Sequence, residues 1–435
     1  MVAPIFRTMK AILKLILKLL ARATLRRYRP RVVGITGSVG KTATKAAVAG
    51  VLGTRFRLNP GYKNLNNEFG LPLCILGEAD SGYGSAWAWL GILGRGLRQL
   101  LFHNPHYPEV LVLEYGIDRP GDMVYLLNLA RPQVAVVTAI GPTHLEFLKT
   151  LATVAAEKAR LVQALTPAGL AVLNADDPQV MALAPRLRAR VVTFGFGEGA
   201  NVQAEAVAST TNQAGTATGT TFKLRLSGSS LPVSLQGLCG RPPVLASLAA
   251  AAVGQEFGVP LIDIANALQG LVWPAGRLRL VPGSSETTLI DDTYNSSPRA
   301  VAEALQILRE LPRAPGTRRW AILGDMLELG QQSKDLHREA GRLVASGGVD
   351  YLVTVGRESV ATNEAARAAG FNGANQWHYA TSGEVGSFVK PRLHPGDVVL
   401  IKGSQGVRCE RITRELMREP ARAGELLVRQ HKPWV

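Results

Sequence analysis

Cysteine and histidine are scarce, with three Cys and seven His in 435 residues. Cys74, Cys239 and Cys409 lie far apart without metal spacing, which excludes a zinc site or disulfide framework and points to a reducing, cytoplasmic setting. Acidic residues are also few: 33 Asp and Glu face 49 Lys and Arg, a net charge of +16. Such an excess suits nucleic acid, anionic lipid or acidic substrates. No nucleic-acid-binding module accompanies it, so no nucleic-acid partner is expected. No internal repeat is present, and the length allows two or three domains.

What is there begins with "GITGSVGKTATKAAVAGVLG" (34–53), a glycine turn between an apolar strand and an alanine-rich helix. A strand, glycine turn and helix start surround an anion with backbone N–H groups and the positive helix end. Lys41 then reaches the outer phosphates and the Thr42 hydroxyl takes Mg²⁺. The match departs from G-x-x-x-x-G-K-[ST], because Ile35 stands five positions before Gly40. From residue 31, short apolar strands alternate with helices, including "VLVLEYG" (110–116), "VAVVTAIG" (134–141) and "AVLNADD" (171–177). That alternation predicts an α/β fold: a P-loop ATPase domain with a parallel sheet, then a Rossmann-like α/β domain. Residues 201–236 read as a small antiparallel β insert, and an alanine-rich helix is expected over 244–257. "LVWPAGRL" (271–278) suits a hinge, giving three parts: a helix over 1–30, a central domain over 31–274 and a C-terminal domain over 275–435.

The first segment places Arg7, Lys10, Lys14, Lys18 and Arg22 within an arc of about 120°. Ile5, Phe6, Met9, Ile12, Leu13, Ile16, Leu17, Leu19 and Leu20 occupy the other side. Lysines inside the run exclude a membrane span and interrupt the apolar region a signal peptide needs. Two readings stay open: a helix from about Ile5 to Arg22 lying in an anionic membrane surface, or one docked on its own protein or a partner. "GSAWAWLGILGRGLRQLLF" (84–102) divides the same way, between a second membrane-facing helix and a core helix.

Further motifs follow in order: "LNPGYKNLNNEFGLP", "LEYG", "IGPTHLEFL", "VAAEKARL", "LNADDP", "GRL", "IDDTYNSSPRA", "LGDMLELG" and "LIKGSQG". The series resembles the Mur ligase family from residue 32 to about 410, and most closely its D-alanyl-D-alanine-adding branch. The resemblance implies an acid–amino-acid ligase that activates a carboxylate with ATP as an acyl phosphate, which an amine attacks. Gly37, Ser38, Gly40, Lys41 and Thr42 then hold the phosphates. Thr42, Glu114, His144 and a CO₂-carbamylated Lys158 hold Mg²⁺. Arg277 and Asp292 contact the nucleotide, Asn66 and Asn67 lie near substrate and metals, and Asn295, Lys402 and Ser404 lie toward the amine.

Departures accompany the match. Ala139 stands for the asparagine of the family's "TNIG", and Pro242 and Ala246 replace its histidine and asparagine on the adenine side. Only residues 1–31 precede the strand into the glycine loop, so the domain that grips the UDP-sugar is expected to be missing. The acceptor is then a small-molecule or lipid-linked cell-wall precursor, met at the inner face of the membrane. Two other readings remain: the same mechanism on a poly-amino-acid or folate-glutamate carboxylate, or a weakened scaffold subunit that keeps the fold.

Overall fold

The structure, a computed structural model, describes residues 2–58, 65–78, 86–213, 215–313 and 315–431. Side chains 2–10, which include the expected Ile5, Phe6, Arg7, Met9 and Lys10, and residues 59–64 of the polar loop lie outside that description.

Continuous apolar runs become buried parallel strands, because helices cover both faces of such a sheet. The first sheet contains β1 (Arg31–Thr36), β2 (Val110–Glu114), β3 (Val134–Val137), β4 (Leu170–Asn174), β5 (Arg190–Gly195), β6 (Val202–Thr211), β7 (Ala217–Leu226) and β8 (Ser229–Gln236). Their order is β2-β1-β3-β4-β5-β6-β7-β8. Pairing is parallel as far as β6 and antiparallel from β6 to β8. The expected β insert is therefore antiparallel, but it extends the main sheet, because β6 continues the ladder of β5.

Helix α1 (Val2–Tyr28) precedes the sheet, followed by α2 (Lys41–Leu52), α3 (Gly70–Ile75), α4 (Ala86–Leu101), α5 (Asp122–Leu129), α6 (Leu145–Leu148), α7 (Leu151–Gln163) and α8 (Pro178–Met181). Helices α9 (Arg241–Glu256) and α10 (Leu261–Gln269) follow β8. The sheet's alternating faces split the core in two. Val33, Ile35, Val112 and Val136 pack under α2, α9 and α10, while Leu111, Leu113, Ala135 and Val137 pack under α3, α5 and α7. Alanines of α9 let it lie close against α2 and the sheet.

The second sheet runs β13-β12-β11-β14-β10-β9. Its strands are β9 (Arg279–Pro282), β10 (Thr288–Asp292), β11 (Arg319–Gly324), β12 (Tyr351–Val355), β13 (Gln376–Tyr379) and β14 (Val398–Lys402). All pairs are parallel except β9 with β10. α11 (Pro298–Glu310) and α12 (Ser333–Ser346) cover one face, and the helix Glu410–Leu416 covers the other.

α1 outlasts the expected span by six residues at its C-terminal end, because its last turn has tertiary partners. Tyr28 stacks on Tyr107 at 4.1 Å and donates its hydroxyl to the Gln99 carbonyl at 2.8 Å. Leu17, Ala21 and Thr24 are buried against α3 and α4. Of the two readings of this segment, docking on its own protein holds for that face. No helix among the described residues is long and apolar enough to cross a membrane.

Candidate active site

The glycine turn stands at the switch point of the first sheet, where β1 has β2 on one side and β3 on the other. Gly40 caps α2 at φ 83°, a left-handed conformation that only glycine adopts without strain. Gly37 has a different reason: a Cβ there would meet Thr138 Oγ1 at 1.9 Å. Thr138 in turn donates to the Val39 carbonyl at 2.5 Å and holds the turn against β3. Ser38 ties the turn to the next strand end, donating to the Gly141 carbonyl and accepting from Gly141 N–H, both at 2.9 Å. Among the described residues, the N–H groups of Val39 and Gly40 find no acceptor. Unpaired donors at a helix start are the arrangement that an anion satisfies.

Lys41 folds back over this turn and donates to the Gly37 carbonyl at 2.6 Å. Burial holds its ammonium below the usual lysine range, and Glu114 opposes the shift. Glu114 ends β2 beside Ile35, so the register alone carries it to the glycine turn. Its oxygens accept from Thr42 Oγ1 at 3.2 Å and Asn66 Nδ2 at 3.1 Å. Asn67 serves α3 instead, accepting from Phe69 N–H and Gly70 N–H.

The carboxyl ends of both sheets meet over this turn. Arg277 lies over the Tyr294 ring at 4.1 Å and reaches Thr42 Oγ1 with Nη2 at 3.4 Å. Its buried Nε has no partner among the described residues. His144, left-handed at φ 54°, sets Nδ1 2.7 Å from Glu328 Oε2 and 3.4 Å from Asp118 Oδ1. The proximity of His144 holds the Glu328 carboxyl below its ordinary range. Glu328 also accepts Glu146 N–H on its carbonyl, a second tie between the sheets. These groups enclose a cavity of about 320 Å³ that Asn66, Asn67, Asn295, Tyr294 and Lys14 also line.

Other expected site residues lie beneath that surface. Lys158 is buried on α7 and pairs with no carboxylate among the described residues. Burial, then the neighbouring Lys41, hold its ammonium well below the lysine range. Lys402 is buried as well, its Nζ 2.6 Å from Asp292 Oδ2 and 2.9 Å from the Asn295 carbonyl. The β10–β14 register sets Asp292 beside Lys402, so neither side chain lines the cavity. Ser404 is likewise internal, accepting from Leu327 N–H at 3.0 Å. Among the described residues, no three His, Cys, Asp or Glu side chains converge as a ready metal site. Thr42 and Glu114 nonetheless present hard oxygens beside the turn, a donor set suited to Mg²⁺ with phosphate oxygens and water completing the shell.

Ala139, Pro242 and Ala246 line one smaller cleft that shares Val39 and Gly40 of the turn. Sequence reasoning missed Tyr294, Asp118, Glu328, Arg299 and Glu303. Tyr294 and Glu328 stand inside motifs already quoted, but only the meeting of the two sheets brings them to the cleft.

Two family models match parts of the chain: the Mur ligase middle domain over residues 94–254, and the Mur ligase glutamate ligase domain over residues 276–405. The UDP-N-acetylmuramoyl-tripeptide–D-alanyl-D-alanine ligase of Bacillus subtilis is 30% identical over 404 residues, 93% of this chain and 79% of that protein. The chain belongs to the Mur ligase family. The same-named ligase of Mycobacterium tuberculosis (strain CDC 1551) is 33% identical to this Mur ligase over 390 residues, 86% of this chain and 70% of its own. Among solved structures, the MurF ligase from Thermotoga maritima in complex with ADP superposes at a TM-score of 0.73. It is 26% identical and is matched over 93% of this chain and 84% of its own.

Proposed function

We propose that this Mur ligase forms an amide bond at the expense of ATP, joining D-alanyl-D-alanine or a similar amine to a cell-wall precursor carboxylate. The observation that carries the reading is the convergence of Lys41, Thr42 and Glu114 with Arg277 from the segment between the two sheets. A carboxylate oxygen of the acceptor attacks the γ-phosphorus and ADP leaves. The amine nitrogen then attacks the acyl carbon, phosphate departs and the nitrogen loses a proton. Such transfers rest on positioning and charge neutralisation.

Gly37, Ser38, Gly40 and Lys41 bind the phosphates, with the Val39 and Gly40 N–H groups as donors. Arg277, whose Nε has no partner among the described residues, neutralises charge on the transferring group. Asn66 orients Glu114, and Asn295 faces the incoming amine. Thr42, Glu114 and His144 are the residues that would hold Mg²⁺, which supplies charge neutralisation on the phosphates when bound. Lys402 acts at one remove by fixing Asp292 and the Asn295 backbone, and Ser404 fixes the loop at Leu327. Burial and the neighbouring Lys41 favour the uncharged amine of Lys158, the form that adds CO₂ with loss of one proton. Its carbamate would restore a carboxylate next to Lys41. We place the functional units at residues 1–30, 31–274 and 275–435.

The acceptor in this reading is lipid-linked. α1 and the adjoining α4 expose Ile12, Leu15, Ile16, Leu19, Leu90 and Leu101 to solvent, beside Arg22, Arg26 and Arg98. Apolar side chains fringed by arginine suit an anionic bilayer surface. On the other side of α1, Lys14 lines the cavity and lies 4.3 Å over the Tyr125 ring, so the helix joins that surface to the site.

The deciding experiment is ADP release by purified protein with ATP, Mg²⁺, D-alanyl-D-alanine, and either UDP-linked or polyprenyl-linked muramoyl peptide. Amide product with the polyprenyl-linked acceptor, and none with Lys41→Ala, is the expected outcome; product with the UDP-linked acceptor alone would keep the ligase reading and overturn the lipid-linked one. ATP turnover indifferent to both acceptor and amine would overturn the reading.

A further inference from the structure

The smaller cleft behind the glycine turn shares Val39 and Gly40 with the main cavity. A nucleotide whose phosphates lie on this turn has two directions in which to extend. The main cavity is polar and holds Lys41, Thr42 and Glu114. The second cleft is lined by Phe194, Leu245, Pro242, Ala246 and Ala139, walls suited to a flat heteroaromatic ring.

Polar groups in this cleft are mostly engaged. Asn174 Nδ2 donates to the Thr138 carbonyl at 2.8 Å, and Thr138 Oγ1 donates to the Val39 carbonyl. The two charged residues come from one face of α11, four positions apart. Arg299 is turned away to Asp177, its Nη1 2.5 Å from Oδ2. Glu303 has no hydrogen bond or ion pair among the described residues, although it lines the cleft and is half-buried. Burial holds its carboxyl above the ordinary range, with Arg299 opposing. A carboxylate left without a donor among the described residues, in a cleft with mostly apolar walls, is matched by a ligand that donates.

We infer that Glu303 reads the base of the nucleotide, its carboxylate accepting a hydrogen bond from an amino group on the edge of a purine. The inference rests on the glycine turn being the phosphate site. Ala139, Pro242 and Ala246 offer no side-chain donor or acceptor, so the contact falls to α11 from the other sheet. Adenine presents its 6-amino group, and guanine presents N1–H and its 2-amino group side by side. Base reading is then coupled to the approach of the two sheets, because the cleft joins the glycine turn of the first sheet to Glu303 on α11 of the second.

The test compares ATP, GTP and purine riboside triphosphate, which lacks any amino group, with the intact protein and with Glu303→Ala and Glu303→Gln. Binding of the three diphosphates is measured by calorimetry alongside turnover. The intact protein is expected to favour an amino-bearing base by about 10-fold or more in affinity and kcat/KM. The ATP/GTP ratio reports which purine edge faces Glu303. Glu303→Ala should lower ATP and GTP to the level of purine riboside triphosphate, leaving that nucleotide unchanged, and Glu303→Gln should retain part of the preference. Equal use of all three by the intact protein, or undiminished preference in Glu303→Ala, overturns the inference. Failure to bind any of the three nucleotides would instead remove the phosphate site on which it rests.

Discussion

At Lys158, burial and a neighbouring cation act in the same direction, both favouring the uncharged amine. Lys158→Ala is expected to lose at least 100-fold in kcat, with partial recovery in added acetate or formate. Lys158→Arg should show no such recovery, because the guanidinium cannot take up CO₂ and still fills the site. Full activity after rigorous removal of CO₂, with no carbamate mass shift, would end the carbamate reading. Asp291 makes a separate, stability-linked case. Its Oδ1 accepts from Thr293 and Thr413, both at 2.9 Å, while Oδ2 is buried without a partner among the described residues. Burial pushes the carboxyl from its ordinary 3.8 up to about 6. The folded state therefore binds the proton more tightly, and stability falls as pH rises through that interval, with the full cost present above it. Asp291→Asn keeps the acceptor for both threonines and removes the charge. Denaturation at pH 8 should show a gain of about 3 kcal/mol that is mostly gone near pH 4. An equal gain at both pH values would show that ionisation is not its source.

Helix α1 carries different work on different faces. Leu17 is 0% exposed and Leu19 is 56% exposed, two positions apart. Leu17→Ala leaves a cavity against α3 and α4 and should cost about 2–4 kcal/mol in denaturant unfolding. Leu19→Ser should change stability by less than about 0.5 kcal/mol. Combined with Leu15→Ser and Leu90→Ser, it should nevertheless abolish flotation with anionic vesicles at low salt, which the unaltered chain is expected to show. If the unaltered protein stays in the soluble fraction with such vesicles, the exposed face has another partner. The same division explains how α1 was read. Its helical period and opposed charges are legible along the chain, but the seating of Lys14 and Lys18 over the Tyr125 ring is not. Periodicity tells which residues share a face and leaves open what that face meets.

Across the whole molecule, the site exists only where the carboxyl ends of two sheets meet. His144 approaches Glu328, Arg299 reaches Asp177, and Arg277 reaches Thr42. Glu328 and His144 are partly exposed, so their pairing is worth no more than about 1 kcal/mol of global stability. Its effect belongs to positioning. Glu328→Gln should leave unfolding within that margin, lower kcat about 10-fold, and speed amide exchange over residues 144–149. Unchanged exchange together with unchanged kcat would show that this contact does not govern the approach of the sheets.

By itself, the chain sequence determined the glycine turn, Lys41 and Thr42, the placement of Glu114 at a strand end, and the alternation that makes two parallel sheets. These are local consequences: a left-handed turn needs glycine, and a doubly covered strand needs a continuous apolar run. It also marked Ala139, Pro242 and Ala246 as side chains without hydrogen-bonding groups. Tertiary structure alone decided that Lys402 is buried on Asp292, that Arg277 reaches the glycine turn, and that Glu303 lines the same cleft as Ala139. Each of these contacts joins residues 110 to 235 or so positions apart or depends on strand register and sheet approach. No local period or propensity records such proximity, because it is set by how helices and sheets pack once formed.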